Sequence, residues 1–67
     1  MQSLQDAIKE CVEKIGDPLM RQIITYCERW PEDQVRRQVR EMVQQGVLRM
    51  KEDYTDHDWT YRKGRYW

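Results

Sequence analysis

The sequence has 67 residues, of which 39% are hydrophobic, and equal numbers of basic and acidic side chains, 12 of each. A chain this short forms one domain with a core worth only about 3–5 kcal/mol, which leaves little room for a deep catalytic pocket, so we expect no enzyme activity. The formal net charge of zero argues against nucleic-acid binding through bulk charge and requires any such binding to come from a local cluster of basic residues.

The first predicted element is a helix over residues 4–15. Ser3 is placed to cap its start, and Gly16 is placed to end it in a left-handed conformation. Cys11, like Cys27 in the next helix, falls on an apolar face, so we expect both cysteines in the core, with a disulfide between them as an open alternative. The apolar residues recur at spacings of three and four, which puts them on one face: Leu4, Ala7, Ile8, Cys11, Val12 and Ile15.

Two further helices are predicted, over residues 18–29 and 31–45. Asp17 is a favoured N-cap for the second helix, and Pro18 is favoured at its first position, where the missing N–H costs nothing. The pair Trp30–Pro31 breaks the chain between the two helices, because the residue before a proline is pushed out of the helical region. We therefore expect a very short turn between these helices.

A β-hairpin is predicted over residues 48–63, because the apolar period changes there from 3.6 to 2. Gly46 is placed to end the third helix in a left-handed conformation, with Val47 making the accompanying hydrophobic contact. Gly64 is expected to mark a bulge or the end of the second strand. The hairpin turn is predicted at residues 55–58.

Four aromatic residues lie in or after the second strand of this hairpin. We expect Trp59 and Tyr61 to pack the hairpin onto the helices. Tyr66 and Trp67 have two open alternatives: they close the core, or they present an exposed aromatic patch to a partner.

The order helix, helix, short break, helix, glycine, apolar pair and hairpin resembles that of winged helix-turn-helix domains. The most specific stretch runs from Gln34 to Leu48, in which Met42-Val43-Gln44-Gln45-Gly46-Val47-Leu48 is similar to the family's passage from the third helix into the first wing strand. The resemblance implies one domain over residues 1–67, with an α+β, mostly α-helical fold of three helices followed by a β-hairpin wing. It also implies that the outward face of the third helix enters the major groove of DNA.

The third helix carries the residues suited to that role. Arginine bonds bidentately to guanine in the major groove, and glutamine bonds to adenine. We expect Arg37, Arg40 and Gln44 to face bases and Arg36 to reach phosphate, with Gln38 of suitable chemistry beside them. This hypothesis depends on four residues pointing inward, so that the arginines between them look out: Val35, Val39, Met42 and Val43.

The base of the hairpin is expected to contact phosphates through its cations, which are Arg49, Lys51, Arg62 and Lys63. The hairpin tip carries carboxylates that would repel phosphate: Glu52, Asp53, Asp56 and Asp58. The alternative for the third helix is a solvated face with internal pairs four residues apart, such as Asp33–Arg37 or Arg37–Glu41.

Two functions from different classes stay open. The first is a small transcriptional regulator that binds double-stranded DNA, as a dimer or beside a partner. The second is a winged-helix protein-interaction module using its aromatic C-terminal hairpin, which the neutral charge and the acidic hairpin tip favour. Neither function needs a cofactor, a metal ion or a small-molecule substrate. We expect no metal site at Asp56-His57-Asp58, because adjacent residues in a turn seldom converge on one ion.

No basic region leads into an apolar run at the start of the sequence, and no apolar stretch approaches the length of about 20 residues that spans a bilayer. We therefore expect a cytoplasmic protein with no membrane association.

Overall fold

The computed structural model describes residues 2–52 and 59–67. In this part of the chain, three helices, α1 (Leu4–Ile15), α2 (Met20–Tyr26) and α3 (Glu32–Gln44), precede two strands, β1 (Leu48–Glu52) and β2 (Trp59–Lys63). The strands pair antiparallel. This α+β, mostly helical layout of three helices and a hairpin confirms the predicted winged-helix fold class. The predicted turn at residues 55–58 lies outside the described residues.

Helix α1 has the predicted bounds, because both of its ends are specified locally. The Ser3 hydroxyl accepts a hydrogen bond from the Asp6 N–H at 3.2 Å, as expected of an N-cap. Gly16 follows the helix with a positive φ of 72°, and its N–H donates to the Val12 carbonyl at 3.0 Å.

Helix α2 starts two residues later than predicted, and its N-cap is Leu19 rather than Asp17. The predicted first helical residue, Pro18, instead lies beside the hairpin, where its carbonyl accepts a hydrogen bond from the Tyr61 N–H at 3.0 Å. Leu19 forms an isolated antiparallel bridge with Thr60. Pairing with β2 therefore holds these two residues extended and delays the helix.

The break between α2 and α3 is also longer than the very short turn predicted, because α2 ends at Tyr26 and not at residue 29. The chain turns over residues 27–31, and the Trp30 N–H donates to the Cys27 carbonyl at 3.0 Å. Trp30 is half-buried and packs against the core. Pro31, directly after it, pushes Trp30 out of the helical region and so prevents α2 from continuing into α3.

The passage from α3 into β1 has the predicted geometry. Gly46 has a positive φ of 80°. The Val47 N–H donates to the Met42 carbonyl at 2.9 Å, and the Gly46 N–H donates to the Val43 carbonyl at 3.1 Å. These two bonds are the pair that defines a Schellman motif, and the buried Val47 supplies its hydrophobic contact.

Residues 64–67 fold back against this turn. The Gly64 N–H donates to the Val47 carbonyl, and the Tyr66 N–H donates to the Gly46 carbonyl, both at 2.8 Å. A Cβ atom on Gly64 would collide with the Gly46 carbonyl oxygen. The glycine that follows β2 thus allows two backbone segments to touch.

One hydrophobic core joins the three helices to the hairpin. Both cysteines are buried in it as free thiols, which confirms their predicted core role and not the disulfide alternative. Burial raises the pKa of the Cys11 thiol to about 11, and the nearby Cys27 adds to the effect. The buried cluster comprises Leu4, Ala7, Ile8, Cys11, Val12, Ile23, Cys27, Val35, Val39, Met42, Val47, Leu48 and Tyr61.

The four aromatic residues near the end of the chain have different environments. Tyr61 is buried, as predicted, but Trp59 is 46% exposed, so its predicted packing on the helices is wrong. Trp59 shares the inward face of β2 but lies two residues nearer the hairpin tip, beyond the packed region. Trp67 is half-buried against the core, whereas Tyr66 is 65% exposed. Of the two alternatives, Trp67 therefore closes the core, and Tyr66 is the exposed aromatic residue.

Candidate nucleic-acid interface

The two faces of α3 divide as the sequence predicts. Val35, Val39 and Met42 are fully buried, and Val43 is half-buried at the edge of the core. The opposite face is solvent-exposed and carries three of the predicted base-contacting side chains: Arg37, Arg40 and Gln44. The described part of the hairpin does not cover them, so this face is open to a partner.

Arg36 lies on the flank of α3 and is engaged with its own helix. Its guanidinium Nε donates to a Glu32 carboxylate oxygen at 3.1 Å, four residues away along the chain. Burial raises the pKa of the Tyr61 phenol, and the charges of Arg36 and Arg40 oppose that rise. Arg36 thus fits the alternative of a solvated, internally paired face.

The alternative pairs proposed for Arg37 do not form. Among residues 2–52 and 59–67, neither Asp33 nor Glu41 makes an ion pair with Arg37. No ion pair within those same residues involves Arg40 either. The outward arginines of α3 are therefore not neutralised by neighbours on the helix.

The strand register sorts the cations of the hairpin by face. Arg49 lies opposite Arg62, and Lys51 lies opposite Thr60. Since side chains alternate along a strand, these three cations share the outer face of the sheet. Lys63, the fourth predicted contact, pairs with Leu48 and so belongs to the other face.

Two of these cations hold the hairpin to the helices. The Arg62 guanidinium donates to both Asp17 carboxylate oxygens, at 3.0 and 3.4 Å, and Lys63 Nζ lies 3.4 Å from a Glu13 oxygen. The hydrogen bonds from Arg62 lower the pKa of the Asp17 carboxyl, against the smaller opposing effect of burial. Asp17 reaches this position with a φ of 47°, a conformation that aspartate adopts more readily than most residues.

Lys63 makes a second contact, with the ring of Trp67. The Nζ atoms of Lys9 and Lys63 lie 5.4 and 5.3 Å from the centroid of that ring, so two cations flank one indole. Lys9 Nζ also donates to the Trp67 carbonyl at 3.4 Å. These contacts give Lys63 a structural role at the base of the hairpin.

The eight predicted contact residues therefore form two groups. Three of them are tied to carboxylates of the same chain: Arg36, Arg62 and Lys63. Five are exposed and make no ion pair within the described residues: Arg37, Arg40, Gln44, Arg49 and Lys51. The Arg36 pair has the helical spacing of four, but the pairing of Arg62 could not be recognised from sequence, because Asp17 is 45 positions away.

Two other predictions fall at least partly on residues that the structure does not describe. The acidic hairpin tip and the turn around His57 lie at positions 52–58, where only the backbone of Glu52 is described. In the described ranges, no group of three or more histidine, cysteine, aspartate or glutamate side chains is arranged to hold a metal ion.

Comparison with protein-family models and with curated proteins finds no match to this chain. Within the described ranges, every helix is too short or too polar to cross a bilayer.

Proposed function

We propose that this domain binds double-stranded DNA with α3 in the major groove and acts as a small transcriptional regulator. The observation that carries the proposal is the open face of α3, where Arg37, Arg40 and Gln44 are exposed opposite a fully buried apolar stripe. An α-helix fits the width of the major groove, and arginine and glutamine are the side chains that bond bidentately to guanine and adenine there.

The outer face of the hairpin supplies the phosphate contacts in this proposal. Arg49 and Lys51 alternate on β1 and are exposed, so both point to the same side of the sheet. Arg62 contributes less, because its charge is already satisfied by Asp17. A neutral chain thus presents, on two elements, cations that make no ion pair with any described residue, which meets the requirement for local charge asymmetry.

A titration of the isotope-labelled domain with a random-sequence duplex in low salt tests the proposal. We expect amide shifts along α3 and at the base of the hairpin, and an affinity that falls steeply as salt is added. The Arg37→Ala substitution should weaken binding about fivefold or more. Arg21→Ala removes another exposed arginine, on α2, and should leave the affinity within about twofold.

Absence of any salt-sensitive binding at micromolar protein in low salt contradicts the proposal. Equal losses in Arg37→Ala and Arg21→Ala contradict it as well, since they would show that only total charge matters. The alternative of a single aromatic interaction surface gains little support, because the exposed Trp59 and Tyr66 lie at opposite ends of β2.

A further inference from the structure

Strand β1 forms an edge of the sheet. Strand β2 has neighbours on both sides, with β1 along one side and the Leu19 bridge to Thr60 on the other. Within the described residues, β1 pairs only with β2. An edge strand presents free backbone N–H and C=O groups that can pair with another chain.

The alternation of hydrogen bonds between β1 and β2 identifies which backbone N–H and C=O groups of β1 face the open edge. The Gly64 N–H donates to the Val47 carbonyl, so residues 47 and 64 form a hydrogen-bonded pair. Such pairs alternate along an antiparallel ladder, and the next ones are at Arg49 and Lys51. The Tyr61 N–H fits this alternation, because it points away from β1 and donates to the Pro18 carbonyl. The backbone groups of alternate residues on β1 therefore face the open edge: Leu48, Met50 and Glu52.

The side chains along this edge combine apolar and basic character. A groove at the end of the sheet next to α3 is lined by both strands, with apolar side chains from Val43, Leu48 and Met50 and cations from Arg49, Lys63 and Arg65. Met50 is 41% exposed although it lies on the inward face of the strand. An added strand would find an apolar surface on one side and the charges of Arg49 and Lys51 on the other.

A second copy of this chain does not suit the edge. Antiparallel pairing of two β1 strands through their outward groups places Arg49 opposite Arg49, Arg49 opposite Lys51, or Lys51 opposite Lys51. Each register therefore sets like charges directly across from each other, which destabilises a sheet. The chemistry of the edge selects against self-pairing and favours a strand that carries negative charge.

We propose that the open edge of β1 binds an extended acidic segment of another protein by adding it as a third strand along the hairpin. Alternate carboxylates of the segment lie beside Arg49 and Lys51, and the apolar residues between them pack on Met50 and Val43. The backbone N–H and C=O of Met50 face the open edge. The apolar residue of the added segment that lies opposite Met50 therefore forms the backbone hydrogen bonds to it.

A blocked hexapeptide of alternating aspartate and valine tests this proposal on the isotope-labelled domain. We expect saturable amide shifts on β1 and slower hydrogen exchange at the Leu48 and Met50 N–H groups. Exchange at Arg49 and Lys51 should change little, since those groups already bond to β2. The assay contains no DNA, so its failure leaves the DNA proposal standing, and the reverse also holds.

Two N-methylated versions of the peptide separate strand addition from simple charge attraction. Methylation of the central valine nitrogen removes a hydrogen bond to the edge and should weaken binding about fivefold or more. Methylation of a neighbouring aspartate nitrogen, which points away from β1, should leave the affinity within about twofold. Equal effects of the two methyl groups overturn the proposal.

Charge reversal provides the matched protein control. Arg49→Glu should weaken peptide binding about fivefold or more, because a cross-strand attraction becomes a repulsion. Arg21→Glu makes the same charge change on α2 and should have no effect beyond about twofold. The proposal is overturned by equal losses in these variants, by equal binding of a lysine–valine peptide, or by no saturable shift on β1 at about 5 mM peptide.

Discussion

The outer face of α3 and the base of the hairpin are both rich in cations, yet they differ in what surrounds those cations. On α3, Arg37 and Arg40 are exposed and make no ion pair with the described residues. At the hairpin base, Arg62 and Lys63 bond to Asp17 and Glu13 near the end of α1. Arg37 and Arg40 are available to an outside anion, whereas Arg62 and Lys63 are already paired with carboxylates.

This difference shows why a basic cluster in a sequence does not by itself define a binding site. Arg62 and Lys63 belong to the densest basic run of the chain, which continues to Arg65, but the fold brings carboxylates to them. Arg37 and Arg40 sit between acidic residues in sequence, yet within the described residues neither makes an ion pair with Asp33 or Glu41. Local charge density in the sequence favours the run at residues 62–65 as the anion-binding site, whereas the tertiary structure favours Arg37 and Arg40.

The largest expected effect is on DNA affinity and comes from matched double substitutions. Arg37→Ala with Arg40→Ala should weaken duplex binding by about 30-fold or more, at about 1 kcal/mol or more for each lost contact. Arg62→Ala with Lys63→Ala removes the same charge from the hairpin base and should weaken binding less than about fivefold. Fluorescence anisotropy at fixed salt measures both.

A larger loss in the hairpin pair than in the α3 pair would invert the comparison. It would place the main DNA contact on Arg62 and Lys63 and require their ion pairs with Asp17 and Glu13 to open. Thermal unfolding of both variants serves as a control that the domain remains folded.

The second expected effect concerns stability at the hairpin base. Trp67→Ala removes a half-buried indole that packs on the core between Lys9 and Lys63, and should lower the free energy of unfolding by about 2–3 kcal/mol. Tyr66→Ala truncates the neighbouring, mostly exposed ring and should cost less than about 1 kcal/mol. Urea denaturation measures both, and similar losses would contradict the assigned roles.

The sequence predicted the parts of the fold that depend on local interactions. The bounds of α1, the buried stripe of α3 and the left-handed turn at Gly46 all follow from capping residues and apolar spacing. The outward position of Arg37 and Arg40 follows from the same spacing, since a helix that buries one stripe must expose the opposite one.

Non-local pairing accounts for most of what the sequence missed. The signal at Asp17 and Pro18 for a helix start is sound locally, but β2 pairs with Pro18 and Leu19, and Arg62 takes the Asp17 carboxylate. The predicted packing of Trp59 failed because alternation assigns a residue to a face and does not say how far the helices extend beneath it. Propensity and periodicity are read over short windows of sequence, so they reveal neither the pairing of residues 18 and 19 with β2 nor the ion pair of Asp17 with Arg62.

The third expected effect tests the backbone contact at Gly46. Gly46→Ala should lower the free energy of unfolding by about 1–2 kcal/mol, because a positive φ is unfavourable for alanine. A Cβ atom there would also lie 2.5 Å from Cδ2 of the Tyr66 ring. In the Tyr66→Ala background the same substitution should therefore cost about 0.5 kcal/mol less. A double-mutant cycle by urea denaturation measures the coupling, and additive losses would show that the ring moves aside freely.

The smallest expected effect is the titration of Asp17, which reports directly on the ion pair at the hairpin base. Its pKa is lowered first by the hydrogen bonds from Arg62 and less by the charge of Lys51, so the pair contributes stability above the ordinary carboxyl pKa of 3.8. That contribution is lost as the pH falls from this value through the lower pKa of the folded state. Arg62→Gln should move the pKa of Asp17 back up toward 3.8, whereas Lys51→Gln should move it less, since Lys51 acts only through space. Carboxyl carbon chemical shifts measured against pH follow the pKa of Asp17 in both variants.

A larger change of this pKa in Lys51→Gln than in Arg62→Gln would mean that Arg62 is free in solution. The base of the hairpin would then offer phosphate the same open cations as the outer face of α3.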